Sequence, residues 1–251
     1  MSSLLDHDKR GDTPLATFIL IHGGWAGAWQ WERVVPRLRA MNHTVYTPSL
    51  TGLGEKRHLA SPEVNVSTHV CDVASVFEEN TMNDCVLVGF SYGGMVATGV
   101  ARKYTEQIEK LIYLDAFFPV PGQSLFDIFG KKVSKSLLAM TDAFGDGWLL
   151  PFFDAYDSRL TDQPKQTGTE KIYYYPERLR KLQPVYTECT KKDSSWTFTP
   201  ILQRIADERR NAGWDVREFP SGHFPMNSHP AELAQHLNEL QQEKRNLQGT
   251  L

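Results

Sequence analysis

The 251-residue chain has little of what marks several protein classes. It holds three cysteines, Cys71, Cys85 and Cys189, an odd and widely spaced set that makes neither a disulfide framework nor a C-x-x-C ligand pair. Each falls in an apolar or periodic stretch, as buried reduced thiols do, and reduced thiols point to a cytoplasmic location. H-E-x-x-H is missing too, so no metal site is expected. The longest apolar run, around residues 16–21, is far short of the roughly 18 residues that span a bilayer, so no membrane is expected as a partner. Neither sign of charge is in excess: 27 Lys and Arg against 30 Asp and Glu leave a formal −3. Without a basic cluster, no nucleic acid is expected as a partner either. Residues 1–14 lack the apolar stretch of a secretory signal and read as a polar, flexible arm.

What is present is alternation. Short β-branched or aliphatic runs at 17–22, 43–47, 85–90, 111–114, 185–189 and 215–219 read as strands. Segments of helical period separate them. Residues 29–41 carry Trp31, Val34, Val35 and Leu38 on one face. A second helix carries Val70, Val73, Ala74 and Phe77, with Ser67 or Thr68 as its cap. Others are expected over 92–104 and 200–211, and a last one carries Leu233, Leu237 and Leu240. Strand–helix alternation predicts an α/β fold, a mostly parallel twisted sheet flanked by helices. The alternation stops between 116 and 182, which is rich in Pro, Gly and aromatic residues. That stretch reads as a small cap inserted into a single domain whose core is 15–115 and 183–245.

Gly89-Phe90-Ser91-Tyr92-Gly93 matches G-x-S-x-G, a pattern that arises by chance in about one chain in ten of this length. Its setting is what gives it weight: it follows a buried strand and opens a helix, the context of a nucleophile elbow. A serine hydroxyl needs a base with a pKa near neutrality. In the chain order serine, acid, histidine, the base follows the last strand, which selects His223, with His229 as the fallback. Two aspartates compete for the acid that orients it. Asp115 abuts the strand 111–114 inside an apolar run, where a carboxylate needs a partner; Asp193 follows the strand 185–189 among lysines and serines. Asp115 is favoured and Asp193 is the alternative. The backbone N–H groups of Gly24 and Tyr92 are the candidates for an oxyanion hole. His22 reads as structural, bonding the loop backbone.

The segments I-H-G-G-W-A-G-A-W-Q-W from Ile21, G-F-S-Y-G-G from Gly89 and G-H-F-P-M from Gly222 resemble the α/β-hydrolase fold superfamily. Within it they are similar to the group of esterases, plant methylesterases and hydroxynitrile lyases, with bacterial esterase-like members. The resemblance covers about residues 17–240. It implies a Ser-His-Asp triad, a small cap and no cofactor. Two departures stand out. Hydroxynitrile lyases of this group carry a lysine after the histidine and a threonine in the oxyanion loop, where this chain has Phe224 and Gly24. Plant methylesterases take their acid from the later strand, soon after a Cys-Thr pair; here Lys191 and Lys192 intervene before Asp193. A setting after the elbow's next strand, as in the dehalogenase branch, is similar to Tyr113-Leu114-Asp115-Ala116, but Ser91 excludes the aspartate nucleophile that branch needs.

The expected activity is hydrolysis of a small hydrophobic carboxylic ester, with a lactone or carbamate as related options, by a monomer or homodimer. Candidates for the substrate pocket are Trp25, Phe117, Phe126, Trp148, Phe152 and Phe224. The alternatives are a non-catalytic ligand receptor on the same fold and a hydroxynitrile lyase-type enzyme.

Overall fold

The computed structural model describes residues 15–152 and 157–248; the arm expected over 1–14 lies outside them. Eight strands are present among the described residues: β1 (Thr17–Ile21), β2 (Thr44–Tyr46), β3 (Cys85–Phe90), β4 (Ile108–Leu114), β5 (Leu149–Leu150), β6 (Gln163–Pro164), β7 (Val185–Cys189) and β8 (Asp215–Phe219). Six of them form one sheet in the order β2-β1-β3-β4-β7-β8, with every neighbouring pair parallel. The helices are α1 (Val35–Ala40), α2 (Val66–Asn80), α3 (Gly93–Lys103), α4 (Leu125–Phe144), α5 (Gln166–Thr169), α6 (Pro176–Lys181), α7 (Thr199–Asn211), α8 (Pro225–Ser228) and α9 (Pro230–Gln248).

Side chains alternate across a strand, and here both faces are buried. Phe18 and Leu20 of β1, Val86 and Val88 of β3 and Ile112 of β4 pack with Leu38 of α1 and Leu233 and Leu237 of α9. Ile19, Ile21, Leu87, Leu111 and Tyr113 belong to the opposite core, with Val73 and Phe77 of α2, Val96 of α3 and Ile205 of α7. Each fully buried aliphatic or aromatic side chain of this kind stabilises the fold by about 1.5–3 kcal/mol. β3 and β4 lie at the centre, and their carboxyl ends open where the loops after β1, β7 and β8 also arrive.

Three local readings change. The helix expected over 29–41 is split into a 3₁₀ turn at Ala28–Trp31 and α1, because Pro36 in the first turn of α1 has no N–H to give a preceding turn. The cap of α2 is Asn65, whose Oδ1 accepts the Thr68 N–H at 2.9 Å while the Thr68 hydroxyl accepts the Asn65 N–H. Ser67 is occupied elsewhere, its N–H and hydroxyl both on Glu170. Cys71, expected to be buried, is exposed on α2, whereas Cys85 and Cys189 are buried.

The chain between β4 and β7 forms α4, the antiparallel pair β5–β6, α5 and α6. α4 is interrupted at Gly130, with φ +78°, a conformation that favours glycine. Leu125, Phe126, Ile128 and Phe129 ahead of it are buried, and the turns beyond it are mostly exposed.

Candidate active site

Ser91 follows β3 with φ +51°. A left-handed backbone costs a residue with a side chain roughly 1–2 kcal/mol, so the surroundings must hold it. Its N–H donates to Leu114 O at 3.2 Å, and its carbonyl accepts from Phe117 N–H at 3.0 Å and Gly94 N–H at 3.1 Å. Glycines make this packing possible. A Cβ at Gly89 would lie 2.6 Å from Gly93 O, and one at Gly94 would lie 2.5 Å from Phe117 O.

Asp115 repeats the arrangement one strand over, with φ +41° and its N–H on Thr187 O at 2.7 Å. The carboxyl ends of β3, β4 and β8 thus present Ser91, Asp115 and His223 side by side, in the crevice where open α/β sheets bind ligands. His223 Nε2 is 3.0 Å from Ser91 Oγ and its Nδ1 is 2.7 Å from Asp115 Oδ2. With Nδ1–H donating to the carboxylate, Nε2 is the free lone pair that accepts the Ser91 hydroxyl. The imidazole is enclosed by the rings of Trp196 at 4.5 Å, Phe90 at 4.8 Å and Phe224 at 4.9 Å.

The other aspartate is not in this group. Asp193 is exposed, and its carboxylate accepts the hydroxyl and N–H of Ser195, which hold it below the usual carboxylate range. His229 bonds Ser228 Oγ. The residue that does reach Asp115 from beyond β7 is Lys192. Its ammonium lies 2.7 Å from Asp115 Oδ1, also bonds Cys189 O, and its side chain is 1% exposed. The Cys189 N–H donates to the same Oδ1 at 3.2 Å.

The loop after β1 lies over Ser91: a Cβ at Gly23 would be 3.3 Å from Ser91 Cβ, and one at Gly24 would be 3.5 Å from Tyr92 Cβ. His22 fastens this loop, with Nδ1–H on Gly23 O at 2.8 Å and Nε2 accepting the Leu50 N–H at 3.1 Å. Burial pushes its pKa down to about 4, so it is neutral. His69 fastens the other side. Its Nε2–H donates to Thr51 O and its Nδ1 accepts the Tyr92 hydroxyl at 2.7 Å, and burial again pushes its pKa to about 4.

A cavity of about 100 Å³ opens beside Ser91 and His223. Of the six expected pocket residues, Trp25, Phe117, Phe152 and Phe224 line it. Phe126 and Trp148 do not. Phe126 is turned against Phe129 and α5, where a Cβ on Gly168 would meet its ring at 2.6 Å. Trp148 is half-buried ahead of β5, its backbone fastened to Gly145 and Lys165. Trp29, Leu160, Trp196 and Phe198 line the cavity and were not expected. An aromatic pair two residues apart in the polar loop after 185–189 is the signal that could have found the last two.

The model of the alpha/beta hydrolase family matches residues 18–236. A carbendazim hydrolyzing esterase of Nocardioides sp. (strain SG-4G) is 31% identical over 248 residues, covering 90% of this chain and 100% of that protein. Methylesterase 1 of Arabidopsis thaliana is 27% identical over 56% of this chain and 52% of its own. Among solved structures, an extracellular alpha/beta-hydrolase from a Paenibacillus species superposes with a TM-score of 0.73 at 24% identity, over 88% of this chain and 96% of that one. A pyrethroid hydrolase from Sphingobium faniae JZ-2 does so with 0.71 at 21%, over 90% and 97%. With a strand–Ser91–helix turn at the centre of a parallel sheet and a family match across most of its length, the chain belongs to the alpha/beta hydrolase family, as an enzyme of the esterase type.

Proposed function

We propose that this esterase-type hydrolase cleaves small, uncharged carboxylic esters bearing an aromatic or other apolar group, with Ser91, His223 and Asp115 as its triad. The observation that carries the reading is the continuous hydrogen-bonded chain from Ser91 Oγ through the imidazole to Asp115 Oδ2 at the wall of the cavity. As Ser91 Oγ bonds to the ester carbonyl carbon, its proton passes to His223 Nε2. The carbonyl oxygen takes up the negative charge against the N–H groups of Gly24 and Tyr92. The intermediate collapses by breaking the bond to the alcohol oxygen, which leaves with the proton from Nε2. Water then repeats the sequence on the acyl-enzyme and releases the acid. Asp115 holds the ring in the reactive tautomer and stabilises its charged form, and Lys192 holds the second carboxylate oxygen. Lactones and carbamates share the same acyl-transfer step.

The cavity wall supports the substrate class. Eight of its fourteen residues are Phe or Trp, and none is Asp, Glu, Lys or Arg. A charged substituent would lose water there without gaining a partner. The test is labelling with a fluorophosphonate and mapping of the adduct by mass spectrometry. An adduct on Ser91 that is lost in His223→Ala is the expected result. Absence of any Ser91 adduct on the folded protein would refute the activated serine and favour a ligand receptor on the same fold.

A further inference from the structure

Trp25 is held in an unfavourable conformation by a segment far away in sequence. Its φ is +58°, left-handed for a residue with a bulky side chain. The inserted segment grips it at three points. Trp25 N–H donates to Gln163 Oε1 at 2.9 Å, Trp25 O accepts the Thr161 N–H at 2.8 Å, and the indole N–H donates to Leu150 O at 3.0 Å. Gln163 is 1% exposed and cannot turn away, because its Nε2–H donates to the buried Thr167 hydroxyl at 2.7 Å, which in turn donates to Pro164 O at 2.6 Å.

Gly24 lies directly against this grip. A Cβ placed on it would be 2.8 Å from Gln163 Oε1 on one side and 3.5 Å from Tyr92 Cβ on the other. Tyr92 is held from the other side, its hydroxyl donating to His69 Nδ1 at 2.7 Å. The Gly24–Trp25 stretch of the loop after β1 is thus set by neighbours in one short segment, residues 161–167.

We propose that Gln163 is a positioning residue that builds the oxyanion hole from the inserted segment. It fixes the Gly24–Trp25 peptide on one side of the Gly24 Cα while His22 holds the Gly23–Gly24 peptide through Gly23 O on the other, and the two together aim the Gly24 N–H at the reacting oxygen. The inference rests on the proposed roles of Ser91, Gly24 and Tyr92. The left-handed penalty at Trp25 is of the same order as a single one of the three hydrogen bonds that oppose it. Without the Gln163 acceptor the Gly24–Trp25 peptide turns and carries the Gly24 Cα, and with it the N–H of the neighbouring peptide, off its aim, while the Trp25 indole stays anchored on Leu150 O and the other aromatic walls are untouched.

The experiment is steady-state hydrolysis of 4-nitrophenyl acetate by wild type, Gln163→Met and Thr167→Val, with the rate of fluorophosphonate labelling measured in parallel. Loss of one aimed donor lowers kcat by about 100-fold or more, so Gln163→Met is expected to show that loss with KM nearly unchanged and a matching fall in labelling rate. Thr167→Val keeps the shape and the Gln163 acceptor but frees its amide, and is expected to show the same kcat-only signature in weaker form. It decides the matter if Gln163→Met does not fold. Unchanged kcat in the folded variants, or a rise in KM with kcat preserved, overturns the proposal. Wild type that neither hydrolyses the ester nor labels at Ser91 would instead overturn the reading of the serine on which it rests.

Discussion

At the scale of single residues, Asp115 is shared by two basic side chains, His223 on Oδ2 and the buried ammonium of Lys192 on Oδ1, with the Cys189 N–H as a third donor. A buried carboxylate is tolerated when its lone pairs are filled in this way, and the filling also leaves it one orientation. An amide in its place would offer an N–H where an acceptor is needed and force the imidazole towards the wrong tautomer. Asp115→Asn is therefore expected to lower kcat for 4-nitrophenyl acetate by about 10³–10⁴-fold. Asp193→Asn, whose exposed carboxylate accepts from Ser195 and lies away from His223 among the described residues, is expected to stay within about twofold of wild type. The reverse pattern would transfer the acid to Asp193. Asp115 was legible because a lone aspartate inside an apolar run demands a partner. Lys192 was not, since in sequence it is one of two adjacent lysines and only the path of the loop after β7 sends Lys192 inward and leaves Lys191 exposed.

At the scale of elements, legibility follows burial. β3, β7 and β8 were readable to the residue, as continuous or alternating runs beside an abrupt turn. The elements between β4 and β7 were not. Gly130 resets the phase of α4, so no single apolar stripe runs through both of its halves. Gln163, which binds the main chain of Trp25, left no local pattern, because its partner is 138 positions away. Helix starts were blurred for a simpler reason: Asn65, Ser67 and Thr68 are all good capping residues within four positions. Geometry separates them, with Asn65 and Thr68 forming a reciprocal capping box on α2. Replacing a side-chain cap costs about 1 kcal/mol. Asn65→Ala is expected to lose that amount in urea unfolding, with kcat unaltered, because the His69–Tyr92 bond and the packing of α2 through Val73 and Phe77 are untouched. Unfolding free energy equal to wild type would remove the cap from that role.

At the scale of the molecule, the loops that converge on the sheet are tied by buried histidines, and this sets the acid limit of the fold. His22 joins the loops after β1 and β2, and His69 joins α2 to the elbow; burial pushes both pKa values to about 4, against 6.5 when exposed. His236, half-buried beside Thr187, is shifted in the same direction. Below pH 6.5 the unfolded chain takes up protons that the folded chain refuses until about pH 4. The stability these groups allow is therefore complete above pH 6.5 and is lost as the pH falls from 6.5 towards 4, by about 1.4 kcal/mol per pH unit for each histidine. Two such groups remove about 3 kcal/mol over one unit, a large share of the 5–15 kcal/mol that typically separates folded from unfolded domains. Carboxylates held low by hydrogen bonds, such as Glu55 and Asp127, lose their contribution only as the pH falls below their unfolded values of 4.5 and 3.8, so the upper part of the histidine window lies clear of theirs. The Tm is expected to fall between pH 6.5 and 4.5, before those carboxylates protonate. His69→Gln, which removes one of the refused protons, is expected to be less stable at pH 8 but to show a shallower fall. A Tm that is flat across that range in wild type, or a slope that His69→Gln leaves unchanged, would mean that these histidines do not govern the acid limit.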